Sequence, residues 1–130
     1  MLFRSLAQET GLSPADVQAR ADVTHKTGDV GASISSGSFP TLGMIVAPCS
    51  VRSMSEIATG VTSSLLTRAA DVTLKEKRRL VLMVRETPLH AGHIRAMAEA
   101  SEMGAVIYPP VPAFYARLRS EEHTSELQSH

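Results

Sequence analysis

Three short apolar runs stand out along this chain, and each passes into a polar or proline-rich block. The runs are residues 43–47, 80–84 and 105–108, and the blocks that follow them are 48–53, 85–90 and 109–115. Uninterrupted apolar runs of this length are typical of parallel strands that are covered on both faces. Because ligands bind beyond the carboxyl ends of the strands in open parallel sheets, we expect the three blocks to converge on one pocket.

The residues before the first run predict helix and then a long loop. Apolar residues at helical spacing over 2–7 indicate that the chain opens in a helix. Ser13 and Pro14 have the pattern of an N-cap followed by proline at the first helical position, with the helix running to about Ala19. Residues 22–40 are rich in Gly, Ser and Thr, and they predict a loop long enough to be functional or disordered.

Helices are also predicted between the apolar runs. Ser53, with Glu56 three residues later, has the spacing of a capping box and predicts a helix that begins there and stops near Gly60. Further helices are predicted at about 65–77 and 90–103. The alternation of strands and helices predicts an α/β fold, with a parallel sheet and right-handed crossovers.

Composition excludes several classes of protein. A chain of 130 residues has room for one domain, and its formal net charge of zero gives no reason to expect a polyanion or membrane surface as partner. Aromatic residues make up 4% of the chain and Trp is absent, which disfavours a platform for stacking nucleic acid bases. No apolar stretch is long enough for a membrane span, and the single cysteine favours a reducing compartment such as the cytoplasm.

Charged residues supply two candidate anion sites. Arg85 and Glu86 follow the second apolar run, where they could be an anion clamp beside a proton-carrying carboxylate, or a surface ion pair. Arg68 and Lys75 are seven residues apart and therefore lie on one side of a helix. They could hold a phosphate, although a solvated helix face is the commoner explanation of such a pair.

Three other features each have a chemical and a structural interpretation, and a fourth has only a structural one. Residues 50–53 open a helix and could bind an anion through backbone N–H groups, or serve only as a cap. Cys49 could be a nucleophile, but packing is favoured because no histidine is placed to activate it. Tyr115 follows three prolines and could face a ligand or the core. Residues 77–79 predict a solvated turn.

A metal site is a weaker possibility. Glu86, His90 and His93 have a spacing that could suit a metal ion, but Pro88 interrupts the helix that this would need and no further ligand completes the set.

Taken together, the blocks resemble the UbiX family of flavin prenyltransferases, from near Ser5 to Tyr115. The matching stretches are 21–25, 32–39, 42–44, 48–50, 65–72, 74–76, 84–90 and 109–115. The resemblance implies a flavodoxin-like (Rossmann-type) α/β subunit with flanking helices that assembles into a homododecamer. It also implies transfer of a dimethylallyl group from dimethylallyl phosphate to N5 and C6 of reduced FMN, without a metal. The product would serve a UbiD-type decarboxylase.

The resemblance also implies roles for individual residues. Ser50, Val51, Arg52, Ser53 and Arg85 would contact FMN. The phosphate of the prenyl donor would be held by Arg68, Lys75 and Tyr115, and Glu86 would act in proton transfer near the leaving phosphate. Fixed cations and a phenol at that phosphate would favour the transition state.

The sequence also departs from the family pattern. The family's amino-terminal strand with its phosphate loop, and its carboxyl-terminal helix, are not found, so residues 1–118 are expected to be a partial domain truncated at both ends. Residues 119–130 resemble a translated sequencing adapter, and we expect a non-native, disordered tail there. Two alternatives remain: a related flavin-dependent decarboxylase of the cysteine-decarboxylating group, and an inactive flavin-binding fragment.

Overall fold

The fold is a three-stranded parallel sheet with helices between the strands, as a computed structural model describes it for residues 11–111. The elements in chain order are α1 (Pro14–Ala19), a 3-10 turn (Ser33–Ser35), β1 (Gly43–Cys49), α2 (Val51–Thr59), α3 (Leu65–Lys75), β2 (Arg79–Val84), α4 (Ala91–Glu102) and β3 (Ala105–Ile107). The predicted order of elements is therefore confirmed over the described residues. None of the helices within 11–111 is both long and apolar enough to cross a membrane.

The strands lie in the order β1-β2-β3, and both pairings are parallel. Val46 of β1 is in register with Leu82 of β2, and Leu80 of β2 is in register with Ala105 of β3. Residues in register on neighbouring strands point to the same face of a sheet. The register therefore divides the apolar residues of each strand between two faces.

One face of the sheet carries the core. Val46, Leu80, Leu82 and Ala105 are each less than 5% exposed and form one cluster with buried residues of the helices, such as Met54, Ile57, Ala70 and Ala100. The two crossovers run in the same direction across the sheet, and right-handed crossovers of that kind place their helices on the same side. We call this side the covered face.

The alternate residues of the strands form what we call the open face. Ile45 and Val106 are 66% and 43% exposed, and Val81 and Met83 are partly exposed. The prediction of strands covered on both faces is therefore wrong within residues 11–111. The apolar runs gave no sign of the difference, because both sets of alternating positions are apolar.

The start of α2 also differs from prediction. Ser50 is the N-cap, since its Oγ accepts a hydrogen bond from the backbone N–H of Ser53 at 3.0 Å. Ser53 is thus the third helical residue and not the cap. The helix begins directly after β1 because a serine is available at the first position that can cap it. Its end is as predicted, at Gly60 in the left-handed conformation with φ 76°.

The long loop before β1 is fixed to the rest of the domain by Arg78. The guanidinium of Arg78 donates hydrogen bonds to the carbonyl oxygens of Phe39 and Gly37, both at 2.9 Å. The prediction of a solvated turn at 77–79 is therefore wrong for Arg78. A charge-assisted pair of bonds from one planar group holds two points of the loop against the turn that leads into β2.

Candidate functional site

The polar blocks meet along one edge of the sheet. Cys49 of β1 is in register with Val84 of β2, so Ser50 and Arg85 follow neighbouring strands side by side. Pairing of β2 with β3 continues past the last strand residue, because the backbone N–H of Tyr108 donates to the carbonyl of Leu82 at 2.9 Å. The prediction that the blocks share one edge is therefore confirmed as far as Val111, where the described chain ends.

A cleft of about 370 Å³ opens at this edge. It is lined by Val84, Arg85, Glu86 and Thr87 after β2, and by Pro109, Pro110 and Val111 after β3. Ligand pockets commonly range from about 300 to 1,000 Å³, so the cleft has the size of a small-molecule site. Two of the three predicted blocks line it, while residues 50–53 lie next to it on the β1 side.

The first turn of α2 presents backbone donors at the same edge. The N–H of Ser53 is occupied by Ser50 Oγ, and the N–H of Met54 donates to the carbonyl of Ser50 at 2.9 Å. The N–H groups of Val51 and Arg52 precede the first helical hydrogen bond and have no acceptor within the described residues. Two free N–H groups at the positive end of a helix suit a phosphate or carboxylate oxygen.

The side chain of Arg52 points along α2 and away from its first turn. Its Nε donates to Glu56 Oε2 at 3.0 Å, and Ser63 Oγ donates to the other carboxylate oxygen of Glu56. The bond from Ser63, with a smaller contribution from Arg52, holds the pKa of Glu56 below its ordinary value. Within this chain, Arg52 is therefore placed to offer its backbone N–H at the edge more readily than its guanidinium.

Cys49 lies directly beneath this edge and is buried. The residue is 3% exposed, and burial raises the pKa of its thiol from 9.0 to about 11. The thiolate is the reactive form of cysteine, so a thiol with a raised pKa is a poor nucleophile at neutral pH. The environment agrees with the prediction that Cys49 packs in the core.

Arg68 and Lys75 lie elsewhere. Both are exposed on α3, and neither side chain has a hydrogen bond or ion pair with another described residue. Lys75 ends α3 just before β2 begins at Arg79, whereas Arg85 follows the last residue of β2. Because the six residues of β2 span roughly 20 Å, Lys75 and Arg85 are at opposite edges of the sheet. A single chain therefore does not bring Lys75 next to Arg85.

Of three other predicted features, the described residues include one. Tyr115 lies outside the described residues, as does the predicted tail at 119–130. His90 and His93 lie together with their rings stacked, 3.6 Å apart between centroids. Within residues 11–111, no three His, Cys, Asp or Glu side chains are grouped so as to hold a metal ion.

Some of the residues at the edge were not singled out from the sequence. Thr87, Pro110 and Val111 line the cleft, and their only signal was their place within a block that follows a strand. The anchoring role of Arg78 had no local signal, since its acceptors are about 40 residues earlier in the chain.

Comparison with known proteins identifies the family. The sequence pattern of the family described as Flavoprotein matches residues 9–127. The chain belongs to the Flavoprotein family. Flavin prenyltransferase UbiX of Escherichia coli K12 is 62% identical over 117 residues, which are 90% of this chain and 62% of that protein. The UbiX flavin prenyltransferase of Thauera aromatica is 56% identical over 114 residues, or 88% of this chain and 59% of that protein.

Solved structures of this family share the fold. The crystal structure of AnUbiX (PadA1) in complex with FMN and dimethylallyl pyrophosphate superposes with a TM-score of 0.84 at 50% identity, covering 88% of this chain and 61% of that one. A dodecameric FMN-dependent UbiX-like decarboxylase from Escherichia coli O157:H7 superposes with a TM-score of 0.82 at 49% identity, covering 87% and 61%. The predicted resemblance to UbiX proteins and the flavodoxin-like fold are confirmed. The chain spans about three fifths of the length of these relatives.

Proposed function

We propose that this chain is the central part of a flavin prenyltransferase, which joins a dimethylallyl group from dimethylallyl phosphate to reduced FMN. The observation that carries the proposal is the cleft at the carboxyl edge of the sheet, where Arg85 and Glu86 lie beside the free N–H groups that begin α2. The 62% identity to a flavin prenyltransferase supports the choice of reaction.

The residues at this edge fit FMN. Flavin phosphate is an anion, and Val51 and Arg52 offer backbone N–H groups at a helix N-terminus, while Arg85 adds a full positive charge after the neighbouring strand. Ser50 and Ser53 are engaged with each other in the cap, with their hydroxyl oxygens 3.1 Å apart. Their part is therefore to fix the first turn of α2, and each hydroxyl keeps capacity to contact the cofactor. Bound FMN would supply the nucleophilic ring of the reaction.

Glu86 is placed for proton transfer. Glu86 lines the cleft next to Arg85, and its carboxylate has no hydrogen bond or ion pair with another described residue. In the proposed reaction the allylic C–O bond of the donor breaks and phosphate leaves. The double bond of the dimethylallyl group is consumed as its two end carbons bond to N5 and C6 of the flavin. The hydrogens displaced from N5 and C6 pass one to the phosphate and one to the remaining allylic carbon. Glu86 would carry a proton between the flavin and the leaving phosphate, a task for which a carboxylate with no competing partner is suited.

The donor phosphate requires a second copy of the chain. The side chains of Arg68 and Lys75 are unpartnered cations on one side of α3, yet Lys75 lies at the opposite edge of the sheet from Arg85. A homo-oligomer in which α3 of one copy faces the cleft of another would bring four charged groups to one site. The dodecameric state of the relative from Escherichia coli O157:H7 supports such an assembly for this chain. Tyr115 is proposed as a further contact to the same phosphate.

The product and the compartment follow from the reaction. Prenylated FMN would be used by a decarboxylase of the UbiD type. Reduced FMN persists only under reducing conditions, and the free thiol of Cys49 suits such conditions, so we propose that the chain acts in the cytoplasm.

The test of the reaction uses the chain with reduced FMN under anaerobic conditions. When dimethylallyl phosphate is the donor, mass spectrometry of the product should show FMN enlarged by one dimethylallyl group. A parallel reaction with dimethylallyl pyrophosphate compares the two donors. Glu86→Gln should abolish product while leaving FMN binding, measured by quenching of flavin fluorescence, within a few-fold. Glu102→Gln, an exposed carboxylate outside the cleft, is the control.

The outcomes distinguish the proposals. FMN binding without prenylated product in the unaltered chain would favour an inactive flavin-binding fragment. Release of CO₂ from a peptidyl cysteine would favour the decarboxylase alternative. Equal loss of binding and turnover in Glu86→Gln would show that the residue is structural.

Subunit mixing tests the shared site. Glu86→Gln and Lys75→Met should each be inactive, whereas co-expression of the two variants should restore part of the activity, because some sites would receive both intact residues. Lys26→Met in the loop serves as control and should remain active alone. Mixed oligomers that form but stay inactive would contradict a site built from two copies.

A further inference from the structure

The start of α4 is capped by two histidines in a reciprocal arrangement. Nδ1 of His90, the N-cap residue, accepts from the backbone N–H of His93 at 3.3 Å, and Nδ1 of His93 accepts from the backbone N–H of His90 at 3.4 Å. The two rings stack with an interplanar angle of 22°. This is the pattern of a capping box, with an imidazole in each of the places that a hydroxyl and a carboxylate usually fill.

Both hydrogen bonds require neutral imidazoles. A ring nitrogen can accept a hydrogen bond only when it carries no proton, so each ring must hold its hydrogen on Nε2. Histidine is the side chain that ordinarily gains a proton between pH 5 and 8. A proton on either Nδ1 would turn an acceptor into a donor that faces another N–H group, and the second proton would add a like charge 3.6 Å away.

Gly92 makes room for this arrangement. A Cβ atom at position 92 would lie 2.8 Å from Cε1 and 3.0 Å from Nδ1 of His90. Any side chain there would displace the imidazole from its capping position. Glycine inside a helix is unfavourable, so its presence in the first turn of α4 has a local explanation in the ring of His90.

The other charged groups near the start of α4 belong to α2, to the connection from β2, and to α4 itself. Helix α4 packs against α2 and β3. On α2, Arg52 and Glu56 pair with each other, and β3 carries no titratable side chain. The remaining charged groups nearby in sequence are Arg85 and Glu86 in the connection from β2, and Arg95, Glu99 and Glu102 on α4 itself.

We propose that the His90–His93 pair is a pH-sensitive lock on the start of α4. With both rings neutral, the box holds the first turn of the helix and therefore the end of the connection 85–90, whose first three residues line the cleft. With a proton on either Nδ1, the box opens and the first turn of α4 loosens. The lock depends on this chain's own hydrogen bonds and stands whether or not the proposed function is correct.

Nuclear magnetic resonance of the chain without ligand tests the lock. At pH 8, the imidazole ¹⁵N shifts of both histidines should show a hydrogen on Nε2 and none on Nδ1. Between pH 8 and pH 5.5, the hydrogen-exchange protection of the His93 amide should fall at least ten-fold. The Ser53 amide is capped in the same way by the hydroxyl of Ser50 and should keep its protection. Hydrogen on Nδ1 of either ring at pH 8, or equal behaviour of the two amides, would overturn the proposal.

Variants separate the lock from general acid sensitivity. His90→Ser combined with His93→Glu supplies an ordinary capping box, so the amide of residue 93 should keep its protection at pH 5.5. Gly92→Ala should destabilise the chain when His90 is present and stabilise it in the His90→Ser background, where no ring occupies the space. The same sign in both backgrounds would contradict the role given to Gly92 and His90.

Discussion

The two faces of the sheet are made by alternate residues of the same strands, yet they differ sharply in burial. On the covered face, Leu80 and Leu82 of β2 are fully buried under the helices. On the open face, Ile45 is 66% exposed and Met83 is partly so. All of these side chains are apolar, so hydrophobicity did not decide which were buried. The direction of the crossovers did, because both place their helices on one side of the sheet.

The largest effect should follow from removing a side chain on the covered face. Leu82→Ala should lower the free energy of unfolding by about 2–5 kcal/mol, since a cavity would form in a closely packed core. Met83→Ala, one residue further along β2, should cost no more than about 1 kcal/mol, because its side chain is already partly in water. Urea unfolding of the two variants makes the comparison. Equal losses would mean that the open face is covered as well.

A second prediction concerns the strand pairing on which both faces depend. A Cβ atom at Gly43 would lie 2.7 Å from the backbone carbonyl oxygen of Arg79, the residue that pairs with it on β2. Gly43→Ala should therefore push the strands apart and lower the free energy of unfolding by about 1–3 kcal/mol.

The matched control is Gly28→Ala in the loop, where a Cβ atom would meet nothing within 4 Å. Its free energy of unfolding should change by no more than about 0.5 kcal/mol. If both alanine variants unfold at the same urea concentration as the unaltered chain, the close approach of β1 and β2 at Gly43 is not rigid.

The order and type of the elements could be predicted because each signal is local. Ser13 before Pro14 marked α1, and Gly60 marked the end of α2. The apolar runs located all three strands to within two residues at each end. The cap of α2 was misplaced because Ser50 and Ser53 both precede a helical pattern, and only the path of the chain after β1 decides between them.

What could not be predicted depends on contacts between distant residues. The hydrogen bonds from Arg78 to the carbonyl oxygens of Gly37 and Phe39 join parts of the chain that no periodicity in the sequence connects. The separation of Lys75 from Arg85 follows from their places before and after β2, and a list of candidate cations does not show it. The pairing of His90 with His93 was visible as a spacing, but its use as a cap depends on ring orientation.

A smaller effect should follow from weakening the edge that carries the cleft. Ser50→Ala removes the hydroxyl that accepts from the Ser53 amide and should lower the free energy of unfolding by about 1 kcal/mol. Ser55→Ala on the same helix removes a hydroxyl that makes no hydrogen bond to a described residue, so it should be nearly neutral. Thermal unfolding followed by circular dichroism compares the two. A loss in Ser55→Ala as large as that in Ser50→Ala would show that helix propensity, and not the cap, sets the effect.

The last prediction compares the reactivity of a thiol on the covered face with that of a thiol on the open face. Cys49 is buried, and its pKa is raised from 9.0 to about 11. At pH 8 its thiolate should therefore be about 100-fold scarcer than that of an ordinary cysteine. Because the thiolate is the reactive form, iodoacetamide should modify Cys49 slowly. Ile45→Cys places a second thiol on the open face, where mass spectrometry should find rapid modification. Because the unfolded chain loses the Cys49 proton at lower pH than the folded chain does, stability should also fall as pH rises from about 9 to 11. Rapid modification of Cys49 at pH 8 under native conditions would show that the core beneath the cleft opens readily. Slow modification at position 45 would instead show that another part of the molecule, or a second copy, covers the open face.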